Sequence, residues 1–332
     1  MIISRTPFRI SFFGGGTDYP DWYRNHGGAV LSTTIDKYCY ISLRHLPPFF
    51  GYQYRVVYSK VECVNQLSEI QHPAVRAVLQ TLKVGKGLEI HHDGDLPARS
   101  GLGTSSTFTV GMINAIKALN GEIISKQDLA KSALHIEHDV LKECVGMQDS
   151  IIAAFGGFRR IQLNPDNTFD VTPVIIKSEK LELLQNHLML FFTGFSRLAP
   201  EVAKAQVANI QNKQKELKRM YEMVDQALAI LNGSHASLDE FGKLLHEAWQ
   251  YKRSLADNIS SPAIDEIYKT GLAAGALGGK ILGAGGGGFI LFFVKPEDQM
   301  RVKEKLKQLI HVTFRFESNG SKIVLYESDN FS

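Results

Sequence analysis

A chain of 332 residues is longer than a single compact domain usually runs, so two domains, or one large α/β unit with an appended lobe, are expected. Its 44% hydrophobic and 21% charged residues are ordinary for a globular protein and exclude a disordered tail or a disulfide scaffold. With 37 Lys and Arg against 34 Asp and Glu, the formal charge of +3 gives electrostatics no reason to select nucleic acid or a membrane surface, and a small-molecule partner fits better.

In chain order, period-two alternation in Phe8-Arg9-Ile10-Ser11-Phe12 predicts a strand with Phe8, Ile10 and Phe12 on one face and Arg9 on the other. Further strand-like runs follow at Ala29–Leu31, Tyr38–Leu43, Tyr54–Tyr58 and Gly87–His92. Phe108, Met112, Ile113, Ile116 and Leu119 then recur at helical spacing until Gly121 supplies a stop. Ser125 with Asp128 three residues on marks a second helix start, carrying Leu129, Ala133, Leu134, Val140 and Leu141 on one face and ending near Gly146.

A composition shift near residue 175 divides the chain into expected domains 1–175 and 176–332. The second is helix-rich from about Pro200 to Leu277, between strand-like Leu188–Phe192 and Phe289–Val294. A helix at Glu297–Ile310 and strands at Val312–Phe316 and Lys322–Tyr326 suggest an α+β lobe with its own antiparallel sheet.

Cys39, Cys63 and Cys144 are widely spaced and form no C-x-x-C pair, which argues against a disulfide framework or zinc site and for a reducing, cytoplasmic setting. The segment Met1–Pro7 has no basic stretch followed by a long apolar run, so no secretory signal is expected. The longest uncharged apolar run, Ile281 to Val294, is broken by five glycines and falls short of the roughly 20 residues a spanning helix needs, so no membrane role is expected. His91, His92, His135 and His138 have no metal-ligand spacing and read as surface or cap residues.

Several segments could carry chemistry. In Pro97-Ala98-Arg99-Ser100-Gly101-Leu102-Gly103-Thr104-Ser105-Ser106 a glycine-rich turn enters a helix, exposing backbone N–H groups at its positive end, where a phosphate is the natural ligand. No lysine of the G-x-x-x-x-G-K type follows, and the dinucleotide fingerprint is incomplete; a plain helix-entry turn is the competing reading. Glu137 shares the apolar helix face, where an ionised carboxylate needs a cation, either Mg²⁺ or an arginine. Asp149 could cap a short helix or deprotonate a substrate hydroxyl. Gly14-Gly15-Gly16-Thr17-Asp18-Tyr19 offers a carboxylate for sugar hydroxyls, or merely a loop. Gly283 to Gly288, between two apolar runs, needs unusual backbone angles or a closely approaching ligand.

In order and spacing, the chain resembles the GHMP kinases through Thr6–Ile10 with Gly14–Tyr19, Pro97–Ser106, and Lys280–Gly288. The resemblance implies a two-domain α+β fold, with an N-terminal ribosomal-protein-like α/β domain and a C-terminal ferredoxin-like α+β domain with extra helices. It implies ATP and Mg²⁺ as cofactors. Pro97, Ser100, Gly101, Leu102, Gly103, Thr104, Ser105 and Ser106 would hold the ATP phosphates, and Ser105, with Thr104 as second choice, would join Glu137 on Mg²⁺. Asp149 would be the catalytic base, with Arg9 stabilising it and the developing charge. Gly15, Gly16, Thr17, Asp18, Gly285 and Gly286 would shape the substrate site, and Arg197 would meet a substrate phosphate.

The Gly-Gly-Gly-Thr-Asp form lacks the glutamate and histidine of galactokinases. With Phe192-Thr193-Gly194-Phe195-Ser196-Arg197, it looks like the sugar-kinase branch containing D-glycero-D-manno-heptose 7-phosphate kinases. The implied reaction is phosphorylation of the anomeric hydroxyl of a heptose 7-phosphate. Kinases for fucose or a hexose share the same residues, and a non-catalytic sugar-binding regulator is the alternative of another class.

Overall fold

The computed structural model describes residues 1–98, 100–194, 199–233 and 237–327. The first half contains β1 (Ile2–Phe13), α1 (Pro20–His26), β2 (Gly28–His45), β3 (Tyr54–Val57), β4 (Val61–Val64), α2 (Pro73–Thr81) and β5 (Leu88–Gly94). It continues with α3 (Thr104–Leu119), α4 (Lys126–Leu134), α5 (Gln148–Phe155), β6 (Arg159–Leu163) and β7 (Phe169–Pro173). The second half contains α6 (Ser178–Asn186), β8 (Leu188–Phe192), α7 (Ala199–Ala208), α8 (Gln214–Asn232), α9 (Asp239–Ser254) and α10 (Pro262–Ala273). After β9 (Ala276–Ile281), β10 (Phe289–Val294) and α11 (Gln299–Lys305), the described chain ends in β11 (Ile310–Val312), β12 (Phe316–Glu317) and β13 (Lys322–Tyr326).

Local chemistry accounts for several boundaries. Ser125 caps α4 as expected, its Oγ accepting from the Asp128 N–H at 3.0 Å. Proline opens α1, α2 and α10, where its missing N–H costs nothing. The separate runs Ala29–Leu31 and Tyr38–Leu43 are two stretches of one 18-residue strand, β2. The polar residues between them stay extended because β2 changes partners there, pairing with β6 over Gly28–Ser32 and with β5 over Cys39–His45.

The larger sheet has nine strands along the path β13-β1-β2-β5-β3-β4, with β12 and β6 also on β2, and β7 on β6. The smaller runs β11-β8-β10-β9. The tail therefore departs from expectation. Only β11 joins the second sheet, whereas β12 pairs with β2 and β13 with β1, returning the C-terminal strands to the first half. Part-buried hydrogen bonds hold this return: Ser321 Oγ lies 2.8 Å from Thr6 Oγ1 and accepts from Asn114 Nδ2 at 3.0 Å, and the Ser321 N–H donates to Ala153 O at 2.8 Å.

The halves share a buried aromatic seam. Phe241 of α9 meets Phe13 and Phe12 of β1 at 5.1 and 5.5 Å, edge to face, and Phe293 of β10 at 6.2 Å. This places the end of β1, and the glycine loop after it, against the second half.

Candidate active site

The Pro97–Ser106 turn links β5 to the 16-residue α3, whose N-cap is Gly103. Gly101 and Gly103 have φ of +83° and +75°, which favour glycine, and a side chain on Gly101 would collide with Leu282 O. The second glycine run backs this turn: the Phe289 N–H donates to Ser100 O at 3.1 Å, and Gly283 and Gly288 lie against the backbone of Gly101 and Ser100. Pro97 and Ser105 are exposed, Thr104 is half-buried, and Ser100, Leu102 and Ser106 are buried. Arg99 lies outside the described residues. The turn thus presents the first N–H groups of a long helix, a geometry suited to an anion.

Beneath it sits an ion pair. Arg9 Nε and Nη2 donate to Asp149 Oδ1 and Oδ2 at 2.8 and 2.9 Å, a two-pronged bond, and Nη1 donates to Gly101 O at 2.7 Å. Arg9 follows a bulge in β1 after Pro7, which has no N–H for the ladder, and such bulges re-aim side chains. Asp149 lies in the first turn of α5 but is not its cap: the N-cap is Met147, without a side-chain bond. The capping alternative is therefore corrected. The Arg9 guanidinium is buried while the Asp149 side chain keeps 24% exposure, leaving the carboxylate partly open to solvent.

Glu137 follows α4 on a π-helical turn, His135–Val140. The wider turn changes the face expected from a regular helix: Ile136 and Glu137 are buried, while Val140 is exposed. Glu137 Oε2 accepts from Ser150 Oγ at 2.7 Å, and the buried Oε1 has no partner. Burial, only partly offset by the Ser150 and Ser106 hydroxyls, pushes the carboxyl up to about 8. The hydroxyls beside Glu137 are thus those of Ser150 and Ser106, with exposed Ser105 one residue earlier on α3. Among the described residues no three His, Cys, Asp or Glu side chains form a metal cluster. A buried carboxyl with an unpartnered oxygen, hydroxyls and a phosphate-type turn nevertheless suits Mg²⁺, which takes one or two carboxylates and completes its shell with substrate phosphates.

The Gly14–Asp18 loop is tightly braced. Thr17 is fully buried, its Oγ1 donating toward Gly14 O at 2.8 Å and Ala29 O at 3.0 Å, so it shapes the loop from inside. Asp18 accepts from the Gly16 N–H at 2.9 Å and lies directly against Gly146, where a Cβ would overlap its carboxylate. Burial raises its pKa, with Gly16 and Lys252 opposing. Gly15 faces Ser11 and Gln148, and Gly16 faces Gln206. Gly285 and Gly286 rest on Ile259, whose carbonyl takes the Gly286 N–H at 2.8 Å. Arg197 lies outside the described residues.

Three further polar residues complete this interior. Lys252 of α9 and Lys280 of β9 are each 5% exposed, and Gln206 of α7 is 1% exposed. Lys252 Nζ donates to Gln206 Oε1 at 2.8 Å, and Lys280 Nζ to Phe12 O at 2.9 Å. Burial lowers Lys252 to about 8, against the pull of Asp18, and Lys280 to about 7, helped by neighbouring Lys252 and Arg9. Helical spacing carried the signal for Lys252, because it shares the buried face of Phe241, Leu245, Ala248 and Trp249. A lone lysine in the apolar Ala276–Ile281 run was the signal for Lys280.

Residues 69–157 match the model of the GHMP kinases N terminal domain, and residues 229–311 that of the GHMP kinases C terminal, together more than half of the chain. The first match takes in the turn, Glu137 and Asp149; the second takes in Lys252, Lys280 and the second glycine run. The chain is 28% identical to D-glycero-alpha-D-manno-heptose 7-phosphate kinase of Campylobacter jejuni over 317 residues, covering 92% of this chain and 93% of that one. It is 26% identical to L-fucokinase/L-fucose-1-P guanylyltransferase of Bacteroides fragilis over 93% of its length, spanning 36% of that protein. Its fold matches a D-glycero-D-manno-heptose 1-phosphate kinase of Bacteroides thetaiotaomicron with a TM-score of 0.80 at 23% identity, covering 99% of this chain and all of that one. With both domain models matched and the fold shared end to end, the chain belongs to the GHMP kinase family of ATP-dependent kinases that phosphorylate an alcohol group.

Proposed function

We propose that this protein transfers the γ-phosphoryl group of ATP to the anomeric hydroxyl of D-glycero-D-manno-heptose 7-phosphate, giving the 1,7-bisphosphate. The observation that carries the choice of sugar is the likeness to the C. jejuni heptose 7-phosphate kinase across nine-tenths of both chains. The Gly14–Asp18 sequence, without the glutamate and histidine of galactokinases, supports the same choice.

The phosphates of ATP lie on the Gly101–Ser106 turn, where the N–H groups of α3 meet them. Glu137 and Ser105, with Thr104 as second choice, would hold Mg²⁺, which would supply positive charge to offset that of the phosphates. Asp149 accepts the proton of the acceptor hydroxyl, and Arg9 fixes the carboxylate in orientation while its cation offsets charge developing on the transferred group. Positioning and electrostatics supply most of the acceleration in such transfers. Asp18, Gly15 and Gly16 form the sugar side of the site, with Gly285 and Gly286 shaping its substrate end.

Coupled ADP release, run with D-glycero-D-manno-heptose 7-phosphate, its unphosphorylated parent, L-fucose, D-galactose and D-mannose, tests the reading. Turnover highest with the heptose 7-phosphate is expected, with phosphorus NMR reporting a new anomeric phosphate. Preference for L-fucose would overturn the choice of sugar, and ADP release indifferent to every sugar would overturn the acceptor class.

A further inference from the structure

Lys252 and Gln206 have no part in the reaction as described, yet they form an unusual buried pair beside it. Lys252 Nζ has three N–H donors, and its recorded bond goes to Gln206 Oε1 at 2.8 Å. Gln206 Nε2 is buried without a partner, an arrangement that usually costs stability unless something else meets it. It faces Gly16, whose φ of +110° favours glycine and where a Cβ would approach the amide to 2.8 Å.

The surrounding charges indicate what the pair serves. Asp18, Arg9 and Asp149 all act electrostatically on Lys252, which in turn acts on Lys280. Arg9 is committed to Asp149 and Gly101, whereas Lys280, with one bond to Phe12 O, keeps spare N–H groups as Lys252 does. Lys252 is the lysine bonded to Gln206, whose free Nε2 faces Gly16, and Asp18 is the carboxylate that acts on it most strongly. The Glu137 side is distinct: the groups acting on that carboxyl are Ser150, Ser106, Glu143 and Asp149.

We propose that Lys252 and Gln206 Nε2 are specificity-determining donors for the acceptor, binding sugar oxygens beside the reacting hydroxyl. This rests on the sugar-kinase reading above. The ligand class is a polyhydroxyl acceptor whose oxygens replace the missing partners, with Asp18 accepting in return. Because Lys252 comes from α9, Gln206 from α7 and Gly16 from the first half, the donors form only where the two halves meet.

The test is steady-state kinetics on the full chain, with the sugar that the wild type turns over fastest, for Lys252→Met and Gln206→Leu beside wild type. Thermal melting reports folding of each variant. Loss of one charge-assisted hydrogen bond predicts a sugar KM raised by about tenfold or more in Lys252→Met, with the KM for ATP within about twofold of wild type. Gln206→Leu should give the same split more weakly, and it carries the test if Lys252→Met does not fold. Unchanged sugar KM in folded variants, with only the melting temperature moved, would overturn the inference and make the pair a strut between the halves. Sugar and ATP KM rising together would overturn it as well. A wild type that turns over no sugar would overturn the underlying reading and this inference with it.

Discussion

Replacing Glu137 by glutamine separates the cost of burying this carboxyl from its use. In the fold the side chain is enclosed, with the Ser150 hydroxyl bonded to one oxygen and the Ser106 hydroxyl beside the carboxyl. Burial carries the carboxyl from 4.5 to about 8. Between those values the folded chain keeps a proton that the unfolded chain releases. The stability from this group is thus fully present below pH 4.5 and lost as the pH rises through about 8. The whole swing is at most about 5 kcal/mol. Glu137→Gln has no proton to lose; its extra N–H lacks a partner, at about 1–3 kcal/mol, but that cost does not vary with pH. Urea unfolding at about pH 5 and pH 9, without nucleotide or divalent cation, reads the difference. Wild type should lose at least about 2 kcal/mol more than Glu137→Gln between the two. Parallel pH dependences would refute the view that burial holds this carboxyl protonated.

Other perturbations have equally direct readouts. Arg9→Lys keeps the charge but loses the two-pronged grip on Asp149, so kcat should fall by at least about tenfold with the fold retained; unchanged kcat would contradict the orienting role. Gly101→Ala meets both a φ of +83° and the Leu282 carbonyl, and should raise the KM for ATP while costing roughly 1–3 kcal/mol in unfolding experiments. Ending the chain after Asn319 removes β13 and the Ser321 bonds to Thr6, Asn114 and Ala153, exposing the edge of β1 and freeing α5. Loss of turnover together with aggregation is expected, measured by coupled assay and light scattering. Chelation of divalent cations should abolish turnover reversibly, and Glu137→Gln should fold yet stay inactive at saturating Mg²⁺.

Much of the site was legible because its parts are punctuated by residues with few alternative uses. Gly101 and Gly103 mark backbone that other residues resist, whereas the link between Arg9 and Asp149 came only from the family resemblance, the strand pattern saying no more than that Arg9 leaves the apolar face. Glu137 was visible as a carboxyl on an apolar face, although the π turn that buries it and exposes Val140 leaves no mark in a regular helical count. The smaller errors share one cause, pairing between segments distant in sequence. Nothing in Lys322–Tyr326 itself says that β1 is its neighbour rather than a strand of the nearer sheet, and the continuity of β2 depends on β5 and β6 arriving from later in the chain. Lys252 and Gln206 acquire meaning only when α7 and α9 are laid against the Gly14–Asp18 loop.

The central claim is that Asp149, gripped by Arg9 beneath the glycine turn, is where the acceptor hydroxyl loses its proton to receive the phosphoryl group. Sugar-dependent ADP release by wild type and Asp149→Ala, at saturating Mg-ATP and D-glycero-D-manno-heptose 7-phosphate, tests it most directly. The account predicts a loss of about 10²–10⁴ in kcat for a variant that still binds ATP. Full activity in Asp149→Ala would contradict it.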